Sequence, residues 1–271
     1  MPGRSKKAPL GAFLLCFCWQ TTAGADPDCG PPPDTTPVRV RYAYDGDTLT
    51  LTDNRRVRLI GVNTPELGRE GRAPQALAIR ARDRLRQRLF AAGQQLRLAP
   101  GAQKEDRYGR RLANLWTPKG ENLAAALLRE GLGWYVAIRP NVRYIECYRA
   151  AEAEARRARR GVWGHPAWRV RQAGSLRLRD TGFALVQGRI RQVHRGSRAT
   201  WIDLDGPLTL RLQKRDLLVF PQAPDHSWQG QTVEVRGWLY RVRDRLRLDI
   251  QHPASLRRLD TAPLAPAKAP D

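Results

Sequence analysis

The 271-residue sequence predicts two β-rich domains in tandem, a small α+β domain with a curled sheet and then a small all-β barrel. In residues 38–168, short alternating strands are followed or interrupted by three helical patterns. The composition changes near residues 167–175, and short strands separated by turn residues then fill residues 175–260. We therefore predict two domains with these boundaries.

The two ends of the chain are predicted to lie outside these domains. A positively charged start, an apolar stretch at 8–19 that is too short to cross a bilayer, and the A-G-A triplet at 23–25 indicate a secretory signal peptide, residues 1–25. We therefore predict export, to the periplasm or as a secreted protein, without stable membrane insertion. Residues 26–37 form a Pro-rich lead-in, and the Ala/Pro-rich residues 261–271 form a disordered tail.

Strands of the first domain are predicted from alternating apolar and polar residues, at 38–42, 48–52, 57–62, 95–98 and 111–116. The turn residues Asp53-Asn54 join the second and third of these strands into a hairpin.

Three helices complete the first domain. The first starts at Pro74, where a missing backbone N–H costs little, and ends at Gly93. Its apolar residues recur every four positions and predict one buried face, formed by Leu77, Ala81, Leu85 and Leu89. The other two helices are predicted at 122–130 and 144–160.

Five strands are predicted in the second domain, at 184–193, 200–204, 208–212, 232–240 and 246–250, with a weaker helical segment at 214–220. Five strands in so short a stretch fit a Greek-key barrel of the OB type. Its aromatic residues are Trp201, Trp228, Trp238 and Tyr240. A place in the core or at its rim is the default expectation for them, and stacking on nucleic-acid bases is the alternative.

Two cysteines, Cys29 and Cys147, remain once the signal peptide is removed. An even pair in an exported protein predicts a disulfide, and two buried free thiols are the alternative. The four histidines lack the spacing of a metal site.

The chain is very basic, with 48 Lys+Arg against 26 Asp+Glu and a formal net charge of +22. Such an excess favours a polyanionic partner, because each phosphate contact releases condensed counterions. Nucleic acid is the natural candidate, and the alternatives are an Arg-rich proteome or adhesion to an anionic membrane surface.

Groups suited to phosphodiester chemistry lie close together between Asp45 and Glu66. Asp47 can bind a hard cation, Arg58 can bind phosphate through its planar guanidinium, and Glu66 can deprotonate water. The turn of the hairpin falls near the middle of this segment, so we expect Asp47 and Asn63 to face each other across the strand pair. A second polar cluster, D-R-Y-G-R at 106–110, supplies Arg110 as a second guanidinium.

Residues 38–168 resemble a staphylococcal nuclease (thermonuclease) domain. The matching motifs, in order, are D-G-D-T at 45–48, R-L-I-G-V-N-T-P-E at 58–66, D-R-Y-G-R at 106–110, N-L-A-A-A-L-L-R-E-G-L at 122–132 and A-E-A-E-A-R-R-A-R-R-G-V-W at 151–163. The resemblance implies a five-stranded OB-type barrel with three helices. It also implies a calcium-dependent phosphodiesterase that acts on DNA and RNA and leaves 3′-phosphate ends.

The resemblance also implies roles for individual residues. Asp47 matches a calcium-binding aspartate, and Thr64 matches a threonine that binds the ion through its carbonyl oxygen. Glu66 matches the carboxylate that orients or activates water, and Arg58 and Arg110 match the arginines that clamp the phosphate. Tyr108 matches a tyrosine that lines the site, and its neighbour Arg107 is predicted to bind substrate with it.

Two positions depart from the family pattern. Asn63 stands where the family has a second calcium-binding aspartate, so one negative charge is missing and cation affinity should fall. Ala137 and Arg139 stand near the places of the family's nucleotide-pocket tyrosines, although Tyr135 is close by.

Three functions are consistent with the sequence. The first is an exported nuclease for DNA, RNA or both, dependent on a divalent cation, most simply Ca²⁺, whose C-terminal barrel strengthens binding to the polyanion. The second is a nucleic-acid-binding protein on a nuclease scaffold that has lost activity, with Asn63 as its signature. The third is a basic envelope protein that binds anionic surfaces. Retention of Asp47, Arg58, Glu66 and Arg110 favours the first.

Overall fold

The computed structural model describes residues 29–68 and 71–259. The predicted signal peptide, residues 1–25, and the predicted tail, residues 261–271, lie outside the described residues.

The first domain is a closed barrel of five strands in the order β1-β2-β3-β6-β5. Its neighbours are antiparallel except β3 and β6, whose parallel pairing closes the ring. The strands of this domain, including a separate two-stranded pair of β4 and β7, are β1 (Thr36–Ala43), β2 (Thr48–Leu51), β3 (Arg56–Leu59), β4 (Val62–Asn63), β5 (Gln95–Glu105), β6 (Arg111–Trp116) and β7 (Trp134–Tyr135).

The predicted continuous strand at 57–62 is wrong, because the chain bends after β3. Gly61 has a positive φ of 84°, and the ring of Tyr148 occupies the place where a side chain at this position would lie. Beyond the bend, β4 pairs with β7 and not with β2, so that Asn63 faces Trp134. Asn63 therefore reaches the site from a separate short strand.

Strand β5 is longer than the predicted 95–98, because it continues through an irregular register with β6 as far as Glu105. The D-R-Y-G-R cluster at 106–110 consequently forms the turn of this hairpin. Asp106 and Arg110 close the turn by a backbone hydrogen bond of 3.0 Å.

Three helices pack on the barrel, namely α1 (Ala78–Ala91), α2 (Leu123–Arg129) and α3 (Ile145–Arg157). Helix α1 begins after the predicted Pro74 because Leu77 adopts a left-handed backbone conformation. Ala81, Leu85 and Leu89 are buried as the four-residue spacing predicts, whereas the predicted Leu77 precedes the helix and is half-buried. None of the described helices combines the length and apolar composition required to span a bilayer.

Cys29 and Cys147 form a disulfide, which is the pairing predicted from the sequence. It ties the segment that precedes β1 to helix α3, across 118 residues of chain. The indole of Trp116 donates a hydrogen bond of 2.6 Å to the carbonyl oxygen of Cys29, which fixes this segment a second time.

The second domain repeats the connectivity of the first. Its elements are β8 (Arg171–Gln172), β9 (Gly182–Arg195), β10 (Ala199–Leu204), β11 (Leu208–Gln213), α4 (Lys214–Leu217), β12 (Thr232–Val242), β13 (Arg245–Asp249) and β14 (Leu256–Arg258). Strands β9 to β13 close a ring through the β9–β12 pairing, and β11 and β13 are its parallel pair. The predicted fold of two successive OB-type barrels is thus confirmed.

The second barrel begins before the predicted residue 175. Strand β8 adds to the edge of β9, and Ala173 and Leu176 belong to the barrel core. Of the four aromatic residues considered, Trp228 is buried in the core, whereas Trp238 is 41% exposed.

A buried ion pair joins the two domains. Arg236 of β12 donates to both carboxylate oxygens of Glu152 in α3, at 2.8 and 2.7 Å, and both side chains are buried. Glu152 also accepts a hydrogen bond of 2.9 Å from the backbone amide of Tyr135, and the Arg236 guanidinium lies 3.9 Å from the centre of the Tyr135 ring. Strand β7 is therefore held directly by the second barrel.

A second, more exposed arginine network borders this contact. Arg156 forms a bidentate pair with Glu234 of β12, at 2.7 and 2.6 Å, and Arg257 approaches the same carboxylate at 3.3 Å. At the far side, Arg139 donates to the carbonyl oxygen of Arg215 in α4 at 2.7 Å. The basic face of α3 is thus partly an interface between the domains and not only a solvated surface.

We expect Arg236→Met to lower the free energy of unfolding by about 3–5 kcal/mol, because it leaves the Glu152 carboxylate buried without its cation. Urea denaturation would measure the loss. Arg257→Met is the matched control, because its side chain is exposed and its removal should cost at most about 1 kcal/mol. Adding Glu152→Gln to Arg236→Met should recover part of the loss, and a loss for Arg236→Met no larger than for the control would contradict a structural role for the pair.

Candidate active site

The Asp47 carboxylate is the meeting point of four segments of the first barrel. Its Oδ2 atom accepts hydrogen bonds from the backbone amide and the hydroxyl of Thr64, at 2.8 and 3.0 Å. Arg58 of β3 approaches the same oxygen at 3.1 Å. The other oxygen, Oδ1, accepts from the hydroxyl of Thr48 at 3.2 Å. Asp47 and Thr64 are buried, so this contact is largely shielded from water.

Two glycines allow this convergence. A side chain at Gly46 would lie 2.7 Å from the Thr64 hydroxyl and from the methyl of Ala81 in α1. The turn between β1 and β2 can therefore lie against both only because residue 46 has no side chain. The bend at Gly61 then directs β4 toward the same point.

Arg58 is fixed at several points of the bend. One terminal nitrogen donates to the carbonyl oxygens of Leu59 and Val62, at 2.9 and 2.8 Å. The other faces Asp47 and also donates to the side-chain oxygen of Asn63 at 3.3 Å. Asn63 and Asp47 are thus brought together through a shared arginine.

Arg110 reaches the same site from the β5–β6 turn. Its Nε donates to Asp106 at 2.7 Å, and a terminal nitrogen donates to the Thr48 hydroxyl at 3.3 Å. Burial alone would raise the pKa of Asp106, but hydrogen bonds from the backbone and side chain of Arg110 outweigh it and lower the pKa. The carboxylate therefore stays ionised and orients the guanidinium. Thr48 joins the two arginine-bearing regions through Asp47.

The two predicted substrate-binding residues lie at the tip of this turn. Tyr108 is 64% exposed, and the Arg107 guanidinium stacks 4.8 Å from the centre of its ring. Arg107 also donates to the Tyr108 hydroxyl at 2.7 Å, and Arg110 lies 5.5 Å from the same ring. The turn therefore offers an exposed aromatic face with two cations beside it.

Glu66 follows Thr64 by two residues, on the loop that leads to α1. Its backbone is held on both sides by Gln75, whose side chain accepts at 2.8 Å and whose amide donates at 2.9 Å. The residue is exposed, as a group that meets water and substrate must be. Asp47, Arg58, Asn63, Thr64 and Arg110 are brought together by direct or bridged contacts, and Glu66 lies at their border.

The positions that replace the family's pocket tyrosines serve other purposes. Ala137 is buried in the core, and Arg139 is engaged with α4 of the second barrel through Arg215 and Asp216. Tyr135 packs against Arg236 and donates through its hydroxyl to the carbonyl oxygen of Ala254. Among the described residues of the first barrel, the exposed ring at this site is therefore Tyr108.

Asp45, the first aspartate of the D-G-D-T motif, is a further residue of this site. Its Oδ1 accepts from the backbone amides of Asp47 and Thr48, at 3.0 and 2.6 Å, and so shapes the turn that presents Asp47. Burial raises the pKa of Asp45 to about 7, and the charge of Asp47 adds to the shift. The D-x-D-T spacing was the available signal, because an aspartate side chain commonly accepts from amides two and three residues ahead.

The donor set fits a hard divalent cation. Asp47 and Asn63 offer side-chain oxygens, and Thr64 offers its backbone carbonyl oxygen, all of which suit Ca²⁺. Burial raises the pKa of Asp45, and the charge of Asp47 adds to the shift; a bound cation would favour the ionised form of both carboxylates. No cluster of three or more His, Cys, Asp or Glu side chains occurs within the described ranges, so such a site depends on amide and backbone oxygens.

Comparison with known proteins matches the sequence of the first domain to one family. The sequence model described as "Staphylococcal nuclease homologue" matches residues 56–165. The thermonuclease of Staphylococcus hyicus is 33% identical over 130 residues, which cover 47% of this chain and 75% of that protein. The chain belongs to the staphylococcal nuclease family.

Other members of the family show similar matches. The micrococcal nuclease of Shigella flexneri is 36% identical over 145 residues, covering 48% of this chain and 76% of that protein. Endonuclease YncB of Bacillus subtilis is 31% identical over 130 residues, covering 46% and 61%. The family match ends at residue 165, so it contains the first barrel's Arg58 and Arg110 and stops before the second barrel.

We expect Asp45→Asn to stabilise the metal-free protein near neutral pH. The folded-state pKa of Asp45 is about 7, whereas an exposed aspartate has a pKa of about 3.9. The folded state therefore binds more protons than the unfolded chain between these values, and stability is lost as the pH rises through about 7. Asparagine keeps the accepting oxygen without the charge.

Urea denaturation in chelator, at about pH 4 and about pH 8, would measure this difference. At about pH 8, the free energy of unfolding of the variant should exceed that of the native protein. At about pH 4, the difference between the two proteins should be smaller. A native protein that is the more stable of the two at about pH 8 would refute the assignment of a destabilising buried charge to Asp45.

Proposed function

We propose that this chain is an exported, calcium-dependent nuclease that hydrolyses phosphodiester bonds in DNA, RNA or both. The observation that carries the proposal is the single polar network in which Asp47 contacts Arg58 and, through Thr48, reaches Arg110. Two guanidiniums beside a buried carboxylate suit a phosphate held next to a cation. The nuclease and endonuclease names of the relatives support the same reaction class.

Each residue has a distinct part in this proposal. Arg58 and Arg110 bind the scissile phosphate and stabilise the charge that develops on its oxygens. Their orientation is set in advance, Arg58 by two carbonyl oxygens and Arg110 by Asp106. Glu66 accepts the proton of the attacking water from the border of the site. Tyr108 and Arg107 bind the adjoining nucleotide at the exposed tip of the turn.

Asp47, Asn63 and the Thr64 carbonyl oxygen would hold the cation. When bound, a divalent ion supplies charge neutralisation at the phosphate and a lowered pKa of bound water. Asn63 brings an oxygen ligand but no charge, so we propose weaker cation binding than two aspartates would provide.

Export is supported by two independent features. The amino-terminal residues 1–25 have the composition of a signal peptide. The Cys29–Cys147 disulfide belongs to an oxidising compartment, such as the periplasm or the extracellular space.

The second candidate, a nucleic-acid-binding protein that no longer cleaves, rests on Asn63 alone. A binding protein has little use for the fixed orientation of Arg58 and Arg110 beside Glu66. The nuclease proposal therefore accounts for more of the described contacts.

We expect Glu66→Gln to lower the rate of phosphodiester cleavage by about 10²–10⁴-fold, because the amide cannot accept the proton of water. Denatured DNA, incubated with the mature protein in calcium and in chelator, provides the measurement. Glu146→Gln on α3 is the matched control, since this glutamate is exposed and pairs only with neighbouring Arg149 in the described structure.

Cleavage should stop in chelator and in Glu66→Gln, and should persist in Glu146→Gln. Tight, salt-sensitive binding of DNA without cleavage by the native protein would instead establish the non-cleaving candidate. Equal rates for Glu66→Gln and the native protein would remove Glu66 from its proposed role.

A further inference from the structure

The second barrel carries an aromatic and cationic surface on its outer face. We call this surface the β10–β13 face; it is formed by outward residues of β10, β11 and β13, and its two ends are the β9–β10 and β12–β13 turns. Trp201 of β10 is half-buried on it, and the guanidinium of Arg247 from β13 lies 4.9 Å from the centre of the Trp201 ring. On the intervening strand β11, Arg211 is paired with Trp201 and Thr209 is paired with Arg247.

Two of the three arginines on this face are neutralised. Arg211 forms a bidentate pair with Asp249, and Arg245 pairs with Asp203 at 3.0 Å. These pairs hold the strands in register and leave little net charge. Arg247, by contrast, forms no ion pair with a carboxylate in the described part of the chain, so its charge remains available to a ligand.

Both turns that border the face add further positive charge. The β9–β10 turn and its flanks contain Arg195 and Arg198, and the β12–β13 turn and its flank contain Arg241 and Arg243. None of the four forms an ion pair within residues 29–68 and 71–259, and the two turns contain one carboxylate, Asp244. Gly196 brings the first turn close to Trp201, because a side chain there would lie 3.5 Å from the indole nitrogen.

The register places these turns at opposite ends of the face. Ala199 pairs with Gln213, so the β9–β10 turn lies where β11 ends. Leu246 pairs with Leu208 in parallel, so the β12–β13 turn lies where β11 begins. A ligand that spans the face from one turn to the other therefore meets arginines at both ends and the Trp201–Arg247 pair between them.

We propose that the β10–β13 face binds single-stranded nucleic acid, with Trp201 stacking on a base and the arginines contacting phosphates. A half-buried ring at the surface can stack only on an unpaired base, which favours a single strand over a duplex. In OB-type barrels, the corresponding strands and their two bordering turns form the usual surface for oligonucleotides. This inference rests on the proposed function, because the β10–β13 face would give the nuclease a second contact with the strand that it cleaves. Binding at this face does not itself require cleavage.

Fluorescence anisotropy with a labelled thymidine oligomer of about 15 nucleotides tests this surface. All proteins carry Glu66→Gln and are kept in chelator, so that cleavage plays no part in the result. Arg247→Ala should weaken binding by about tenfold and should reduce the slope of log affinity against log salt by about 0.7, since one phosphate contact is lost.

The control for Arg247→Ala is Arg55→Ala. Arg55 lies exposed in the β2–β3 turn of the first barrel, paired with Asp53, and its removal changes the net charge equally. We expect this control to bind with nearly native affinity and an unchanged salt slope. Equal weakening by the two substitutions would show that only total charge matters, and would overturn the proposal.

Two variants test the stacking contact. Trp201→Leu should weaken binding of the single strand by about tenfold without changing the salt slope, whereas Trp201→Phe should retain most of the affinity. Thermal melting establishes whether each variant is folded. If Trp201→Leu is not folded, the binding result for Arg247→Ala decides the outcome.

A duplex of the same length and vesicles of anionic lipid serve as competing ligands. We expect Arg247→Ala to weaken binding of the single strand more than binding of the duplex or of the vesicles. Equal effects on single strand and duplex would overturn base stacking, and an effect confined to vesicles would identify the face as a membrane-binding surface. If the native protein binds the oligomer but does not cleave it, and Arg247→Ala loses this binding, the proposal for the face stands and the nuclease is rejected.

Discussion

The contact between the Asp47 carboxylate and its four donors organises the first barrel's functional end. One oxygen holds the start of the segment that follows β4 through Thr64, and also holds the Arg58 guanidinium. The other oxygen reaches Arg110 through the hydroxyl of Thr48. A carboxylate that satisfies so many donors fixes the relative positions of β2, β3, β4 and the β5–β6 turn. The same carboxylate is also a proposed cation ligand, so the architecture and the proposed chemistry depend on one side chain.

The second barrel contributes to this end of the molecule through β7. Asn63 is paired with Trp134, and the next residue of β7, Tyr135, is held by Glu152 and Arg236. The strand that carries a proposed cation ligand therefore rests on a strand clamped by the other domain. Tyr135 and Arg139, which lie near the positions of the family's pocket tyrosines, instead contact the second barrel.

Much of the fold could be predicted because local signals and tertiary structure agree. The spacing of Ala81, Leu85 and Leu89 matches the buried face of α1, and the five strands of the second barrel follow its alternating residues. The bend at Gly61 could not be predicted from local pattern, because the Tyr148 ring that excludes a side chain at this position is distant in sequence. The partner of Arg156 could not be predicted either, because a basic helix face has the same sequence pattern whether water or another domain covers it.

The candidate site was predictable to a similar extent. Asp47, Arg58, Thr64 and Arg110 meet as the motifs imply, but the route by which Asn63 reaches them differs. Asp45 was missed because its part is to shape a turn, and only burial shows the cost of its charge. The role of Thr48 could not be predicted either, because a threonine whose hydroxyl bridges Asp47 and Arg110 has the same sequence pattern as any threonine in a strand.

The central claim is that this site binds a cation and cleaves phosphodiesters although Asn63 replaces a carboxylate. The most direct test is the calcium dependence of the initial cleavage rate on denatured DNA, for the native protein and for Asn63→Asp. We predict that both proteins cleave and that the native protein needs the higher calcium concentration for half-maximal rate, because its site has one charge fewer. Cleavage by Asn63→Asp alone, or cleavage by the native protein that chelator does not affect, would contradict it.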